Sequence, residues 1–436
     1  MAVPRRRFVG GGLAALAAAF MQNCGDDAGG ENDAGDAADA VRETATDPTP
    51  TPEDTGVMEA AVDAGDAVFR RRDIEAAPPL RSLIADIGPL GPADERGIRL
   101  PEGFTARIIA TAGQMVEGTS YEWPVFPDGA ATFRTEDGGW ILTVNSEIPI
   151  IGGVSSLRFA PNGDLVEAYS LLQRTSMNCA GGPTPWHTWL SCEEIDKGRV
   201  FECDPWGEQT SVLRPALGVF RHEAVTVDTD RGHLYLTEDV GDGAFYRFVP
   251  DGLNEAGFLN LARGQLEVAV VDASNRVSWV TVPDPQFEGE VATRYQVEGS
   301  AVFNGGEGIW YHDDRVYFST KGDNRVWSYN AMTSALSVLY DAAEQAEPPP
   351  LRGVDNITVS CCGDVLVAED GGEMRIVSIL PSGELIPLVQ IEGQDESEIT
   401  GPAFDPSGTR LYFNSQRGVD GNGFTYEITG PFHEPA

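Results

Sequence analysis

A chain of 436 residues with 41% hydrophobic side chains is long enough to bury a large core, and 68 acidic against 30 basic residues give it a formal charge of −38. A field of that sign repels nucleic acid and anionic membrane surfaces and concentrates cations, which excludes nucleic acid as a partner and favours dissolved metal ions. Fifty glycines, 29 prolines, many short β-branched and aromatic runs and few helical patterns predict an all-β protein.

Residues 1–24 read as an export leader. Arg5-Arg6-Arg7-Phe8-Val9 precedes the apolar run from Gly10 to Met21 in the manner of a twin-arginine signal, and that run is too short to span a membrane. Cys24 follows as a candidate lipidated cysteine that would tether the protein by its N-terminus, although Met21-Gln22-Asn23 is a poor lipobox. The expected location is the periplasm or the cell surface. Residues 25–80, mostly Asp, Ala, Gly, Glu, Thr and Pro, are expected to form a flexible acidic linker, because they cannot bury enough apolar surface to offset their chain entropy. The folded domain is placed at residues 81–436.

Within that domain one unit recurs. An apolar strand starts at a polar residue, turns at Asp, Pro or Gly, and returns as a second strand that ends on another polar group. The starts are Asp128, Asn178, Glu223, Glu307, Asp355 and Thr400, and the returns end on Glu147, Cys192-Glu193-Glu194, Glu238-Asp239, Lys321, Glu369-Asp370 and Gln416-Arg417. Two further strands follow in most copies. A period of about 45–50 residues with four strands per unit predicts a β-propeller, and six copies predict six blades. The interval from Glu223 to Glu307 is nearly double the others; it is read as an insertion within 252–300, with a weak seventh blade as the competing count. The last unit has room for three strands only. The N-terminal strand Phe104-Thr-Ala-Arg-Ile-Ile109 is expected to supply the fourth and close the ring.

In a propeller the starts of the inner strands and the ends of the second strands share one mouth of the central channel. Glu147, Cys192, Glu193, Glu223, Glu238, Asp239, Glu307, Asp355, Glu369 and Asp370 are therefore expected to converge there. Carboxylates so crowded repel one another strongly at reduced dielectric, and bound multivalent metal relieves the repulsion. Their oxygens suit Ca²⁺, whereas a thiolate from Cys192 suits a softer, redox-capable ion such as iron. For any single acid the competing reading is a solvated strand end; recurrence at one repeat position favours ligands. Lys321 and Arg417 stand in the two blades that lack a carboxylate at that place. Cations beside metals predict an anionic substrate, phosphate, with counterions to the acids as the alternative. Five cysteines besides Cys24, two of them adjacent at 361 and 362, leave at least one thiol unpaired. The sequence contains no G-x-S-x-G elbow, Walker loop or HExxH motif.

Asn178-Cys-Ala-Gly-Gly-Pro-Thr-Pro-Trp-His-Thr-Trp-Leu-Ser-Cys-Glu-Glu194, Arg221-His-Glu-Ala-Val225, Glu307-Gly-Ile-Trp310, Asp355-Asn356 and Val367-Ala-Glu-Asp370 resemble the PhoX-type alkaline phosphatases, over residues 95–430. The resemblance implies a six-bladed propeller, twin-arginine export, a ferric iron pair with calcium ions, and hydrolysis of phosphomonoesters. Carried over position by position, it implies Cys192 as an iron ligand and Glu193, Glu223, Glu238, Glu307, Glu369 and Asp370 as sharing the iron and calcium sites. Asn178 is implied to lie against the metals or the phosphate. The chain is shorter than the well-known members, and His187 replaces a glycine usual in that stretch. A monomer acting on a small phosphate ester is expected. The competing functions are another metal-dependent hydrolase, a lactonase or phosphodiesterase, and a non-catalytic calcium-binding propeller at the cell surface.

Overall fold

The computed structural model of the chain describes residues 67–419 and 421–436. The expected leader, Cys24 and most of the expected linker lie outside the described residues. Six antiparallel sheets follow one another along the chain, each with its first strand innermost. The inner strands are Pro127–Arg134, Asn178–Pro183, His222–Asp228, Gly306–His312, Val354–Val359 and Ile399–Phe404, and their second strands are Trp140–Ser146, Trp189–Glu193, His233–Glu238, Arg315–Thr320, Val365–Glu369 and Arg410–Ser415. We number the blades 1 to 6 in that order. The described residues contain no α-helix.

The long third interval holds the fourth strand of blade 3, Gly264–Val271, a fifth strand, Val277–Thr281, and a loop, so no seventh blade forms. Blade 6 has three strands of its own. Thr105–Thr111 adds the fourth by pairing with Phe424–Thr429, Ala106 lying opposite Ile428, and this closes the ring. Closure removes the unpaired edge that an open sheet would present.

Apolar side chains that alternate along the strands pack between neighbouring blades. Phe245 of blade 3 stacks on Phe318 of blade 4 at 4.6 Å, and Phe303 meets Phe318 edge-on at 5.2 Å. Each such ring contributes about 1.5–3 kcal/mol by leaving water. Towards the axis the inner strands touch backbone to backbone. A Cβ on Gly308 would sit 2.2 Å from the Ile357 nitrogen, and one on Gly129 would sit 2.6 Å from the Ala180 Cα. The middle of the channel is thereby closed to side chains. Polar groups are left to gather at its ends.

Residues 67–82 cross the face opposite the strand ends named above. Phe69 is buried, and Arg72 is buried over the Trp206 ring at 3.7 Å while donating to both oxygens of Asp204 at 2.9 and 3.1 Å. Leu80–Ser82 then pairs with His433–Pro435. The flexibility expected up to residue 80 therefore does not extend over residues 67–80. Two anchoring side chains, Phe69 and Arg72, outweigh a composition that is otherwise that of a linker. His187, at the place of the glycine, has φ 67°, a left-handed conformation that glycine adopts without strain.

Candidate metal centre

All six inner strands carry the same irregularity. Pro127 pairs with Ser146 and Ala130 with Val144, so Asp128 and Gly129 stand opposite a single residue, Asn145. The same two-against-one bulge places Cys179-Ala180, Glu223-Ala224, Glu307-Gly308 and Asp355-Asn356 in blades 2 to 5. In blade 6 it falls one residue later, at Gly401-Pro402 after Thr400. A bulge re-aims a side chain out of the alternation, and here it turns the first member of each pair in blades 1 to 5 into the mouth. The residue that follows each second strand completes the ring: Glu147, Glu194, Asp239, Lys321, Asp370 and Gln416.

Four overlapping triads run around the mouth: Asp128, Glu147 and Cys179; Cys179, Glu194 and Glu223; Glu223, Glu307 and Asp355; Asp355, Asp370 and Glu398. Within each, potential ligand atoms lie within 4.8 Å of one another. The Cys179 sulfur is 3.4 Å from a Glu223 oxygen. Gln416 donates to Asp128 and, at 2.6 Å, to Glu147. One oxygen each of Asp128 and Glu223 is buried without any hydrogen-bond partner.

Burial is the first cause that lifts these acids above the carboxylate range, and their mutual repulsion is the second. Glu223 is raised by burial and then by Glu307, and Glu147 by burial and then by Glu194. Asp239 is pushed up to about 6 and Glu398 to about 7 in the same way. The Cys179 thiol is held well above its ordinary range by burial and by Asp128. Three cations rim the acids. Lys321 lies 2.9, 3.0 and 3.2 Å from Asp370, Asp355 and Glu307, Arg417 donates to Glu398 at 2.6 Å, and Arg221 to Glu194 at 2.7 Å. Burial alone would depress Lys321; Asp355 and Glu307 override it and hold the ammonium charged.

Of the residues expected at the mouth, the structure brings together Glu147, Glu223, Asp239, Glu307, Asp355 and Asp370, with Lys321 and Arg417 beside them. It turns five others away. Cys192 points into the apolar core with Leu190, Val200, Phe220 and Leu236. Asn178 spends its amide on Thr175 and Ser191. Glu193, Glu238 and Glu369 each fasten neighbouring loops instead. Glu193 accepts from Ser176 N at 3.0 Å and Arg199, Glu238 from Ala244 N, Tyr246 and Arg294, and Glu369 from the backbone of Arg352, Glu373 and Arg375 and from the Arg375 guanidinium at 2.9 Å. In each acidic pair the first carboxylate is therefore a clamp and the second faces the channel.

Cys179, Glu194 and Glu398 enter in their place. One residue of register separates Cys179 from Asn178, and on a strand one residue reverses the side chain. A signal for Cys179 was present in the chain: Asp128, Glu223 and Glu307 are each followed by Gly or Ala, and in blade 2 Cys179 has that neighbour, Ala180. Glu398 has no counterpart in the other units. It reaches the mouth because residues 370 and 398 form an isolated bridge between blades 5 and 6.

The donor set fits metals: unpartnered buried carboxylate oxygens are suited to hard cations and one thiol among them to a softer ion. The family model described as alkaline phosphatase PhoX matches residues 152–199 and 195–342. Over those residues, fewer than half of the chain, the sequence is similar to the PhoX-type alkaline phosphatases, a family of phosphoric monoester hydrolases. No curated protein matches the sequence. Among solved structures, PhoX from Pseudomonas fluorescens in complex with vanadate, a transition state analogue, is 16% identical with a TM-score of 0.66, covering 79% of this chain and 97% of that one. Regucalcin from Agrobacterium tumefaciens, a calcium-binding protein, is also 16% identical, with a TM-score of 0.44 and coverage of 75% and 98%.

Proposed function

We propose that the chain is an exported phosphomonoesterase whose channel mouth holds calcium and ferric iron. The observation that carries this reading is the pair of buried carboxylate oxygens, on Asp128 and Glu223, that no protein group satisfies. An unmet buried carboxylate is costly, and a cation at the mouth relieves it. Cys179 is assigned as the soft ligand. Asp128, Glu147, Glu194, Glu223, Asp239, Glu307, Asp355, Asp370 and Glu398 are the oxygen donors.

Bound there, the metal ions supply Lewis acidity toward the phosphoryl oxygens. The chain's own cations receive the substrate. Arg417 and Arg221 each have further N–H donors beyond those used on Glu398 and Glu194, and a guanidinium grips a phosphoryl group with two parallel hydrogen bonds. Lys321 adds a compact positive charge at the same rim. The backbone-to-backbone packing below the mouth leaves no room there for further side chains. Export by the twin-arginine leader, residence in the periplasm or at the cell surface, the Cys24 tether and a monomeric state belong to the same proposal.

Elemental analysis of protein recovered from its export route, beside assays on an aryl phosphate, tests the reading. Iron together with calcium and release of phosphate are expected, with Cys179→Ala losing iron and at least ~100-fold of the activity. Calcium without iron and no turnover would favour a binding propeller. Turnover of lactones or phosphodiesters alone would favour a different hydrolase.

A further inference from the structure

A second group of ligating side chains lies at the other end of the channel. The inner strand of blade 5 leaves the mouth at Asp355 and ends at the turn 360–364, so at about 3.3 Å per residue Cys361 and Cys362 stand about 20 Å from the acidic ring. Their sulfurs are 3.6 Å apart and neither is in a disulfide; the Cys362 thiol donates to the Leu80 carbonyl oxygen at 3.3 Å. Ligand atoms of Cys361, Cys362 and His433 all lie within 4.8 Å of one another. His433 comes from the ribbon that pairs with Leu80–Ser82, and it is 3% exposed.

The histidine is held in a ligating state. Its Nδ1 lies 2.9 Å from the Gly408 carbonyl oxygen, and its ring packs edge-on against Phe404 at 4.8 Å. A carbonyl only accepts, so Nδ1 carries the proton and Nε2 presents a lone pair. That Nε2 is buried and has no hydrogen-bond partner. Metal-binding imidazoles are commonly fixed in this manner, by a carbonyl behind the ring.

We propose that Cys361, Cys362 and His433 bind one soft d¹⁰ cation, Zn²⁺ or Cu⁺, at a site separate from the metals of the acidic mouth. Two sulfurs and one imidazole match the preferences of these ions and not those of calcium. Two bonds of about 2.3 Å at a tetrahedral angle put a pair of sulfurs about 3.8 Å apart, close to the 3.6 Å seen here. Cu⁺ is satisfied by the three ligands, whereas Zn²⁺ takes a water as its fourth on the exposed side of Cys361. Both thiols release their protons to solvent as the cation binds. The bound ion staples the turn of blade 5 to the ribbon His433–Pro435 with Leu80–Ser82, and thereby to the segment that crosses this face.

The test uses the full chain, reduced and stripped of metal, then loaded with Zn²⁺ or anaerobically with Cu⁺ and passed through a desalting column. The parent is expected to retain one equivalent more than the Cys361→Ser, Cys362→Ser double variant, and His433→Gln to weaken binding by ~10–100-fold. The ion retained against a competing chelator distinguishes Zn²⁺ from Cu⁺. In the parent alone, loading is expected to slow alkylation of Cys361 at least ~10-fold, which decides the matter if a variant fails to fold. Equal metal retention by parent and double variant, or alkylation unaffected by loading, overturns the proposal. Phosphate release by the Cys361→Ser variant should match the parent, so this site and the acidic mouth can fail independently.

Discussion

Side-chain direction separates two kinds of carboxylate that look alike in the chain. In Glu369-Asp370 the first acid is fully buried and satisfied by three backbone N–H groups and Arg375, while the second meets Lys321 at the mouth. Removing one partner of a buried pair strands the other, so Glu369→Ala should cost about 3–5 kcal/mol, read as a shift of the urea midpoint. Asp370→Ala should leave that midpoint within about 1 kcal/mol in metal-free protein and act on metal content instead. Equal destabilisation by both would contradict the division into clamp and ligand. The presence of an acidic centre was legible at this scale, from acids recurring at strand ends. Which acid of a pair faced inward was not, because that depends on where each strand begins its alternation, and a single residue inverts the answer. The thiol shows the same failure. Cys179 and Cys192 are both buried cysteines of blade 2, and only the bulge decides that the first meets Glu223 and the second meets Leu190 and Phe220.

At the scale of strands the reading from sequence was firmer. Apolar runs bounded by Asp, Pro and Gly located the inner and second strands of all six blades, and Phe104–Ile109 was recognised as the closing strand because it stood alone with no partner nearby in sequence. The long third interval was harder, since a fifth strand and a loop occupy as many residues as half a blade. Bulges left no pattern in hydrophobicity, although small residues after the ligand mark them in blades 1 to 4. The reason for those small residues is steric. Because a Cβ on Gly308 would come within 2.2 Å of the Ile357 nitrogen, Gly308→Ala should destabilise the protein by about 1–3 kcal/mol, measured by denaturant unfolding, and widen the mouth. An unchanged unfolding midpoint would mean that the inner strands are not in contact at the axis.

Across the whole molecule the acidic ring stores repulsion, which the metals of the proposed function would relieve. Asp239 at about 6 and Glu398 at about 7 bind protons more tightly folded than unfolded, as do Glu147, Glu223 and Glu307. Between the ordinary carboxylate range and about pH 7 the folded state therefore holds more protons, and stability falls as pH rises through that window. Each tenfold difference in proton affinity is worth about 1.4 kcal/mol. Lys321 retains its proton throughout and adds no slope there. His222, lowered to about 3 by burial, and His187 and His233, also lowered by burial, oppose the trend below their ordinary range but are outnumbered by the raised acids. Chelator-stripped protein should melt at progressively lower temperature from about pH 4.5 to about pH 7, and metal-loaded protein should not. A melting temperature that climbs over this range in the stripped protein would refute the assignment of repulsion to the mouth.

The bulge shared by all six blades has a consequence for how such a mouth changes over time. It is a feature of the main chain, and it projects whatever side chain stands at 128, 179, 223, 307 or 355. One position can be exchanged while the other blades keep their register, so the ring behaves as a set of independently replaceable sockets. In blade 6, where the bulge falls one residue later at Gly401-Pro402, it projects no ligating group, and Glu398 reaches in from before the strand instead. If the mouth holds metal as proposed, its preference is open to revision one blade at a time, with the scaffold left intact.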